Sequence, residues 1–594
     1  MAVALALLLC LPGAAAAAQK GYRHIPKTDR EVERSANSGS AGTVRVIVRV
    51  KPGVRRNWSK SLRQAGVLVR GDHALVESLT IEIPAGQIEA LSRSPWVESI
   101  SIDARLKAHA LTATSGGAVA SSVAAMLGSP TMPAGVAPVS VAVIDSGIQP
   151  NADLPRSRIT KFVDFSNDLS GVECEPYDDY GHGTHVAGLI GGSGALSDGA
   201  YPGVAPNVNF IGLKVLDSQG GGSSSAVLQA IEYAVANRVA LDIRVINLSL
   251  GHPIYESALT DPLVQAVETA VRAGIVVVVS AGNLGKNPNS GKSGYGGIVS
   301  PGNAPSAITV GAINSYDTIK RTDDRVTTFS SRGPTWQDGF AKPDIVAPGN
   351  KVAAAAAIGS TLYGEFPDLQ VQTSHGKTLL KLSGTSMSAG VVSGAVALMI
   401  EAHTAMGYAR LTPNAIKAML EYSAIRVRQA NELMQGRGSL NLEGAVRMAK
   451  AVSPAAATNS WQAMGYNGPY SLIGGMFYPW AQSIVWGDSI VWGDSIVWGD
   501  SIVWGDSIVW GDSIVWGDSI VWGDSIVWGD SIVWGDSIVW GDSIVWGDSI
   551  VWGDSIVWGD SNVWGDEDPP PPDEPGDPAL EVMPVEAAEN RSVL

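Results

Sequence analysis

Apolar and polar positions divide the chain into regions with different periods. From Pro138 onward, continuous apolar runs alternate with segments in which apolar residues recur at helical spacing. The runs are VSVAVID, VNFIGLKVL, RVINLSL, IVVVVSAG and AITVGAI, with VLQAIEYAVANR and LVQAVETAVRAG between them. Such runs are typical of strands buried on both faces, and their alternation with helices predicts an α/β fold with a mostly parallel sheet. Ligands of such sheets bind beyond the carboxyl ends of the strands.

A shorter region, 44–107, has a different pattern. The stretches TVRVIVRV and HALVESLTIEIP alternate apolar and polar positions, as half-buried strands do. AGQIEALSRSP has helical spacing, and WVESISID returns to the pattern of a strand. These features predict a small α+β domain. The residues that follow, 108–136, are mostly small or polar, and we expect a linker and cleavage zone there.

The chain begins with an apolar run, from about Val3 to Leu11, followed by small residues and a cleavage site near Ala18. This is typical of a secretory signal peptide, 1–19, and predicts a secreted or extracellular protein. No other stretch approaches about 18 apolar residues, so we expect no transmembrane segment after signal cleavage. Cys174 would then be the remaining cysteine, which excludes an internal disulfide, and we expect a buried, inert thiol.

The carboxyl-terminal part of the chain is a repeat. After a predicted linker, 456–482, the hexapeptide SIVWGD occurs fourteen times over 483–566, with one Ile replaced by Asn562. The period fits a solenoid of hexapeptide coils or a meander of short strands with Gly-Asp turns. An unfolded or aggregation-prone low-complexity tract is the third alternative, and we favour a β-rich repeat of unknown partner. The last segment, 567–594, is acidic and proline-rich, which predicts disorder.

Charge narrows the possible functions. The formal net charge is -16 at pH 7, with a basic excess before residue 110 and an acidic excess after residue 483. No basic stripe runs through the body of the chain, which argues against nucleic-acid binding.

Three polar residues stand where the predicted strands end or the predicted helices begin. Asp145 ends the run VAVID, His182 lies in GHGTHVAG, and Ser386 lies in SGTSMSAG. A serine hydroxyl becomes a useful nucleophile when a neighbouring imidazole takes its proton, and a carboxylate orients that imidazole. The chain order Asp, His, Ser is one of the orders in which this triad is known.

These motifs resemble those of the subtilisin-like serine proteases of the subtilase family. VAVIDSGI, GHGTHVAG and GTSMSAG resemble its aspartate, histidine and serine motifs, and SAGN and KPDIVAPG resemble further landmarks. The resemblance implies a subtilisin-like catalytic domain, 137–455, and a secreted serine endopeptidase of broad specificity that cleaves proteins or peptides. It also implies that the protein is a zymogen, in which 44–107 is an inhibitory propeptide that is removed by autoprocessing in the zone 108–136.

The resemblance assigns a role to each motif residue. Asp145 orients His182, His182 is the general base, and Ser386 forms the acyl-enzyme intermediate. Asn283 in SAGN supplies the oxyanion hole, together with the backbone N–H of Ser386. In subtilisins, loss of this asparagine is known to cost roughly 2.7–4 kcal/mol of transition-state stabilisation. His185, the second histidine of its motif, is expected to be a packed structural residue.

The resemblance also implies a substrate cleft with two walls. Ser249, Leu250 and Gly251 form one wall and pair with the peptide backbone as an added strand. Ala281 and Gly282 form the other wall. Both walls lack acidic residues, so we expect an apolar or bulky substrate residue before the scissile bond.

Two features make this chain different from the family pattern. Gly390 and Val391 stand where the family commonly has proline and histidine, and since proline fixes the backbone in a first turn, we expect a less firmly started helix. Asp153 matches a position that binds calcium in many members, but the loop GGSGALSDGAYP lacks the usual asparagines. A structural calcium ion and a loop-capping role are both open for Asp153. No cofactor is required for the chemistry.

A protein of another class remains as an alternative, namely a surface-associated binding protein in which the repeat is the working part. The intact set Asp145, His182, Asn283 and Ser386 argues against a protease fold without turnover. An active protease held at the cell surface through the repeat is compatible with both views.

Overall fold

The computed structural model describes most of the chain between residues 24 and 481, together with the backbone of the repeat strands. The described ranges are 24–38, 42–108, 123–128, 136–166, 171–286, 291–452, 468–481 and the strands between 490 and 564. The predicted signal peptide, 1–19, and the predicted acidic tail, 567–594, lie outside the described residues.

The amino-terminal part of the described chain is a small α+β domain. Its elements are α1 (Arg30–Asn37), β1 (Thr43–Val50), α2 (Arg55–Gln64), β2 (Val69–His73), β3 (Ser78–Pro84), α3 (Ile88–Ser92) and β4 (Val97–Ile102). The strands form an antiparallel sheet in the order β2-β3-β1-β4. In β1, Val46 and Val48 pack with Trp58 of α2, whereas Ile47 on the opposite face joins the apolar core of the larger domain. The domain begins before residue 44, because α1 packs on it.

The larger domain is built on a nine-stranded sheet. Strand β5 (Arg105–Ala108) directly follows β4 and is counted with the small domain. The strands after it are β6 (Ser140–Asp145), β7 (Ile159–Asp164), β8 (Val172–Glu173), β9 (Asn209–Lys214), β10 (Gly221–Ser223), β11 (Ile243–Leu248), β12 (Leu250–Pro253), β13 (Val276–Ser280), β14 (Val299–Ser300), β15 (Ile308–Asn314), β16 (Arg325–Val326), β17 (Ile345–Pro348), β18 (Val352–Ala355), β19 (Gln370–Thr373), β20 (Gly376–Leu382), β21 (Tyr470–Ile473) and β22 (Met476–Pro479). The sheet order is β16-β15-β13-β11-β6-β9-β7-β8, with β17 beside β15. All of its pairs are parallel except those of the short strands β8 and β16. The predicted α/β fold is therefore confirmed.

Helices cover this sheet. They are α4 (Val123–Met126), α5 (His182–Gly191), α6 (Ser224–Ala236), α7 (Pro262–Arg272), α8 (Thr361–Glu365), α9 (Thr385–Ala405), α10 (Pro413–Ser423), α11 (Glu432–Gln435) and α12 (Leu442–Ala451). Helices α5 and α9 share one apolar cluster with residues of β6, β13 and β15. Helices α6 and α7 share a second cluster, which includes residues of β9 and β11.

Helix α9 is the central helix of the domain. Within the part of the chain that the structure describes, it is the helix long and apolar enough to cross a membrane, and it is buried inside the protein. Every residue from Thr385 to His403 is buried. Glycines allow α5 to approach it closely: a Cβ on Gly394 would lie 2.7 Å from the carbonyl oxygen of Ile190.

Part of the predicted linker 456–482 is folded, which differs from the prediction. Residues 470–479 form the antiparallel hairpin β21–β22. One face of the hairpin is buried, with the indole N–H of Trp480 donating to Ser471 Oγ and Tyr478 Oη accepting the backbone N–H of Arg321. Apolar residues lie on both faces of these short strands, so the sequence shows no alternation of apolar and polar positions that would distinguish them from a linker.

The repeat forms three sheets of parallel strands. The strands are β23 (Ile490–Trp492), β24 (Ser495–Trp498), β25 (Ser501–Trp504), β26 (Ser507–Trp510), β27 (Ser513–Trp516), β28 (Ser519–Trp522), β29 (Ser525–Trp528), β30 (Ser531–Trp534), β31 (Ser537–Trp540), β32 (Ser543–Trp546), β33 (Ser549–Trp552), β34 (Ser555–Trp558) and β35 (Ser561–Trp564). Each strand from β23 to β32 pairs in register with the strand three repeats later, as Ser495 does with Ser513. This backbone arrangement matches the solenoid alternative rather than a meander, whose neighbouring strands are antiparallel.

The close contact between α5 and α9 leads to a prediction about stability. We expect Gly394→Ala to lower the free energy of unfolding by roughly 1–3 kcal/mol, because the added methyl meets backbone and the side chain of Val204. The control is Gly364→Ala in α8, where a Cβ meets nothing within 4 Å, so its effect should be neutral or stabilising. Denaturant unfolding in the Ser386→Ala background avoids autolysis, and equal midpoints for the two variants would contradict the prediction.

Candidate active site

The three residues singled out from the motifs lie at the ends of three core elements. Asp145 is the last residue of β6, His182 is the first residue of α5, and Ser386 is the second residue of α9. Strand β6 lies in the middle of the parallel sheet, so its carboxyl end is the edge at which such sheets bind ligands.

A hydrogen bond joins the carboxylate and the imidazole. Nδ1 of His182 donates to Oδ1 of Asp145 at 2.7 Å, and both side chains are fully buried. The same oxygen accepts the backbone N–H of Ser146 at 2.7 Å. Because Nδ1 carries this bond, the neutral imidazole presents Nε2 as its proton acceptor, and Nε2 has no hydrogen-bond partner among the described residues.

Ser386 is held at the start of a buried helix. Its hydroxyl donates to the carbonyl oxygen of Ser249 at 2.9 Å, and the hydroxyl of Ser249 donates to the carbonyl oxygen of Ser386 at 3.1 Å. The Ser386 hydroxyl therefore has to rotate before it can give its proton to His182. Longer or unmade catalytic hydrogen bonds are common before a substrate is bound.

Asn283 lies next to the start of α9. Its side-chain oxygen accepts hydrogen bonds from the backbone N–H of Thr385 at 3.1 Å and from the Thr385 hydroxyl at 3.2 Å. The Thr385 hydroxyl in turn accepts the backbone N–H of Gly282 at 3.1 Å. These contacts fix the amide of Asn283 beside the residue that precedes Ser386.

His185 lies one helical turn from His182 and is buried on the inner side of α5. Its Nε2 lies 3.2 Å from the carbonyl oxygen of Val352 and 3.1 Å from that of Leu380. Burial lowers the pKa of His185 to about 3, so the imidazole is neutral at physiological pH. This geometry agrees with a packed structural residue.

The predicted substrate cleft holds a strand from the small domain. Strand β5 pairs antiparallel with β12 on one side, where Ala108 is opposite Leu250 and Lys107 is opposite Gly251. On its other side, β5 pairs with β10 over Gly221–Ser223. Leu250 and Gly251 are therefore paired with an extended segment of the chain in this structure, and their role toward a substrate stays a prediction.

On the second side of β5 the described contacts do not involve Ala281 or Gly282, and their place in the other wall stays a prediction. The backbone partner opposite β12 is β10, whereas Ala281 and Gly282 bond elsewhere, with the N–H of Ala281 donating to Val310 and that of Gly282 to Thr385. The sequence QGGGSSS around β10 has neither an apolar period nor β-branched residues, so it carries no strand signal.

The strand in the cleft buries one apolar side chain. Leu106 is fully buried and belongs to the same apolar cluster as Leu216 and Leu250. Its neighbours Arg105 and Lys107 alternate to the opposite face, as the period of a strand requires.

Asp153 does not fit the calcium prediction. Its Oδ1 accepts the backbone N–H of Leu196 at 2.8 Å. Burial raises the pKa of the Asp153 carboxyl, whereas the nearby backbone N–H groups of Leu196, Ala195 and Gly194 lower it. N–H donors surround this carboxylate where a cation would need oxygen ligands. The described residues contain no group of three or more His, Cys, Asp or Glu side chains that could hold a metal ion. The geometry therefore favours the loop-capping alternative.

Cys174 and Gly390 also differ in part from the expectations. Cys174 is half-buried rather than buried, but burial raises the pKa of its thiol, which reduces its reactivity.

Gly390 lies in the second turn of α9, not the first, and the helix is continuous from Thr385. A Cβ on Gly390 would lie 3.3 Å from both Cγ1 and the carbonyl oxygen of Val186, so the glycine allows α5 to approach.

A parallel sheet that carries a buried Asp–His pair beside a serine at a helix start is typical of hydrolases with a serine nucleophile. Residues 137–446 match the model of the subtilase family. The chain is 34% identical over 314 residues to subtilisin DY of Bacillus licheniformis, which covers 52% of this chain and 91% of that relative. The chain therefore belongs to the subtilase family.

Other comparisons agree with this assignment. The chain is 39% identical over 313 residues to serine protease AprX of Bacillus subtilis strain 168, and 33% identical over 312 residues to subtilisin E of the same strain. Each alignment covers 52% of this chain and 66% of the relative, so the chain spans just under two thirds of the length of these two proteins.

A solved structure supports the fold. Fervidolysin from Fervidobacterium pennivorans, described as a keratinolytic enzyme related to subtilisin, superposes with a TM-score of 0.52 at 21% sequence identity. The superposition covers 69% of this chain and 62% of that structure.

Proposed function

We propose that this protein is a secreted serine endopeptidase that is made as an autoprocessed precursor. The observation that carries the proposal is the buried 2.7 Å hydrogen bond between Asp145 and His182, at one end of a sheet on which a helix start also holds Ser386. No metal or other cofactor takes part in the proposed chemistry.

In the proposed acylation step, Nε2 of His182 takes the hydroxyl proton of Ser386 while Oγ attacks the substrate carbonyl carbon. The negative charge on the carbonyl oxygen is stabilised by the amide of Asn283 and the backbone N–H of Ser386. His182 then gives the proton to the leaving amine as the C–N bond breaks. Asp145 stabilises the imidazolium throughout.

Deacylation reverses these roles. A water molecule attacks the ester carbonyl of the acyl-enzyme and gives one proton to Nε2 of His182. That proton returns to Oγ of Ser386 as the ester C–O bond breaks, which releases the carboxyl product and restores the free enzyme.

The small amino-terminal domain is proposed to act as an intramolecular inhibitor. Its strand β5 occupies the cleft, and the Asp103 carboxylate accepts the backbone N–H and the hydroxyl of Ser225 at the start of α6. Further along the same helix, Glu232 accepts the backbone N–H of Leu75 at 3.0 Å. Cleavage beyond Ala108 would open the cleft. Leu106 of β5 is buried in the cleft. Its burial supports a preference for substrates with an apolar residue at the place that Leu106 occupies, within an otherwise broad specificity.

The proposed activity predicts a difference between wild type and Ser386→Ala. Wild type should lose its leader and small domain and should hydrolyse a casein-like substrate. Ser386→Ala should keep the size of the precursor, and its activity should fall on the order of 10⁶-fold, as is known for loss of the subtilisin nucleophile. Gel electrophoresis and a fluorogenic protein substrate measure the two effects.

A matched control lies two residues along the same helix. The hydroxyl of Ser388 is also buried and donates to the carbonyl oxygen of Ala347 at 2.9 Å, away from His182. Ser388→Ala should therefore mature and cleave casein. If Ser386→Ala matures and cleaves like wild type, the proposed function is wrong.

The contact between the two domains predicts pH-dependent inhibition. Asp29 of the small domain faces Glu256 and Asp261 of the larger one across a small cavity that His252 and Tyr255 also line. Burial raises the pKa of Asp29 to about 6 and raises that of Glu256 well above its usual range. Since a raised pKa favours the complex at low pH, the contact should weaken as pH rises through about 6.

This pH dependence can be measured on processed protein in which the small domain is still bound. Its dissociation rate, followed by recovery of activity after dilution, should be slower at pH 5 than at pH 7.5. Asp29→Asn keeps a residue suited to the start of α1 but cannot ionise, so it should flatten the profile. A profile that is the same in Asp29→Asn and wild type would contradict this account.

We further propose that the repeat holds the protease at a surface. The in-register stacking of repeat strands supports this role, because it builds sheets that contain repeat strands alone and no strand that carries the proposed catalytic residues. A chain that ends at residue 482 should move from the cell fraction to the supernatant and keep its specific activity. Equal partitioning of the full and shortened chains would rule out anchoring by the repeat.

A further inference from the structure

A second carboxylate, Asp178, lies behind the Asp145–His182 pair. Asp178 is 4% exposed, and each of its two carboxylate oxygens accepts two hydrogen bonds. Oδ1 accepts the hydroxyl of Ser146 at 2.9 Å and the backbone N–H of Gly181 at 2.7 Å. Oδ2 accepts the backbone N–H of Thr184 at 2.8 Å and its hydroxyl at 2.7 Å.

These bonds connect the loop after β6 to the first turn of α5. Ser146, which donates its hydroxyl to Asp178, also donates its backbone N–H to Oδ1 of Asp145 at 2.7 Å. The hydroxyl oxygen of Ser146 accepts the backbone N–H of Gly183 at 2.9 Å. A backbone bridge between Gly147 and Asp178 adds a further link. The two elements that carry Asp145 and His182 are therefore joined through the carboxylate of Asp178 and directly through the hydroxyl of Ser146.

Side-chain packing alone does not fix this junction. Gly183 faces the loop with no side chain, and a Cβ there would lie 2.2 Å from the carbonyl oxygen of Gly147 and 3.1 Å from Cβ of Asp145. The backbones are thus in direct contact, and their relative position depends on the hydrogen bonds of Asp178 and Ser146. A helix start has unpaired N–H groups and a positive dipole end, both of which a carboxylate satisfies.

We propose that Asp178 is a positioning residue for peptide hydrolysis: its carboxylate holds the loop after β6 against the first turn of α5 and thereby sets the hydrogen bond between Asp145 and His182. This inference rests on the proposed protease function. Asp178 does not contact the substrate, and it acts through Ser146 and the start of α5.

The surroundings of Asp178 explain how two carboxylates are tolerated together. Nζ of Lys214 is buried nearby and donates to the carbonyl oxygen of Ser146 at 2.7 Å and to Asp179 at 2.6 Å. Burial raises the pKa of Asp178, whereas its hydrogen bonds to Thr184, Gly181 and Ser146 lower it. Burial raises the pKa of the Tyr180 hydroxyl, and the charges of the nearby carboxylates, including Asp145 and Asp178, raise it further.

Two variants test the inference. Asp178→Asn replaces one acceptor oxygen with an NH₂ group, and Ser146→Ala removes the link without changing the charge near His182. We expect each to lower kcat by roughly 10- to 100-fold, because a small misplacement of catalytic groups has effects of this size. KM should change little, since Asp178 does not bind substrate. The double variant should be no worse than the poorer single variant, because both changes break the same connection.

Asp153→Asn is the matched control. Asp153 is another buried carboxylate that accepts a backbone N–H, that of Leu196, and it has no bond to Asp145, His182 or Ser386. Asp153→Asn should lower the melting temperature as Asp178→Asn does, but it should leave kcat and the pH profile unchanged. The acid limb of kcat/KM against pH reports the ionisation of His182 in the free enzyme, and its midpoint should shift in Ser146→Ala.

One outcome would overturn the inference. If Asp178→Asn and Ser146→Ala lose only as much stability as Asp153→Asn, and keep the wild-type kcat and pH midpoint, Asp178 is a structural helix cap and nothing more.

A measurement without turnover separates this inference from the proposed function. In the Ser386→Ala background, the precursor stays uncut and nitrogen NMR of His182 follows its ionisation directly. Asp178→Asn and Ser146→Ala should each shift that titration, and Asp153→Asn should not. If wild type shows no Ser386-dependent cleavage, the proposed function fails, while the His182 titration still decides whether Asp178 positions the imidazole. An unshifted titration refutes the positioning role.

Discussion

Close packing between α5 and α9 is the constraint on which the rest of the larger domain depends. His182 opens one helix and Ser386 lies at the start of the other, so the distance between the helices sets the relation of the two side chains. Glycines make the short separation possible, because a Cβ on Gly394 or Gly390 would press on the backbone or side chains of α5. The buried sheet then supports both helices from one side. Packing of this density moves little, which suits a site that needs fixed geometry.

Hydrogen bonds at the two helix starts refine the geometry that packing determines only approximately. At α5, Asp178 satisfies the N–H groups of Gly181 and Thr184 and connects them to Ser146. At α9, Asn283 accepts the N–H and hydroxyl of Thr385. Each helix start is thus tied to a neighbouring loop by a polar side chain. Polar groups buried at such points are costly unless satisfied, so each helix start has few alternative arrangements.

Sequence patterns are sufficient to predict the structure where long apolar runs or motifs with several characteristic residues occur. They are insufficient where a strand or a hydrogen bond depends on residues that are distant in the chain. The parallel strands and the places of Asp145, His182 and Ser386 at the ends of elements follow from runs and motifs. The cleft wall Gly221–Ser223 does not, because it becomes a strand only by pairing with β5. Asp178 did carry a signal: an acidic residue just before a helix start is a common cap, but its bond to Ser146 requires the fold.

Hydrogen bonds at a helix start also link the small domain to the larger one. Helix α6 begins at Ser224, whose N–H donates to the carbonyl oxygen of Ala104, and Asp103 accepts from Ser225. The helix's own cap, Ser223, satisfies one further N–H, that of Ala226, with a longer bond of 3.3 Å. Without the small domain, the first turn of α6 therefore loses its strongest partners and depends on water. Since α6 covers the sheet beside the cleft, these bonds attach the start of a helix of the larger domain to the small domain.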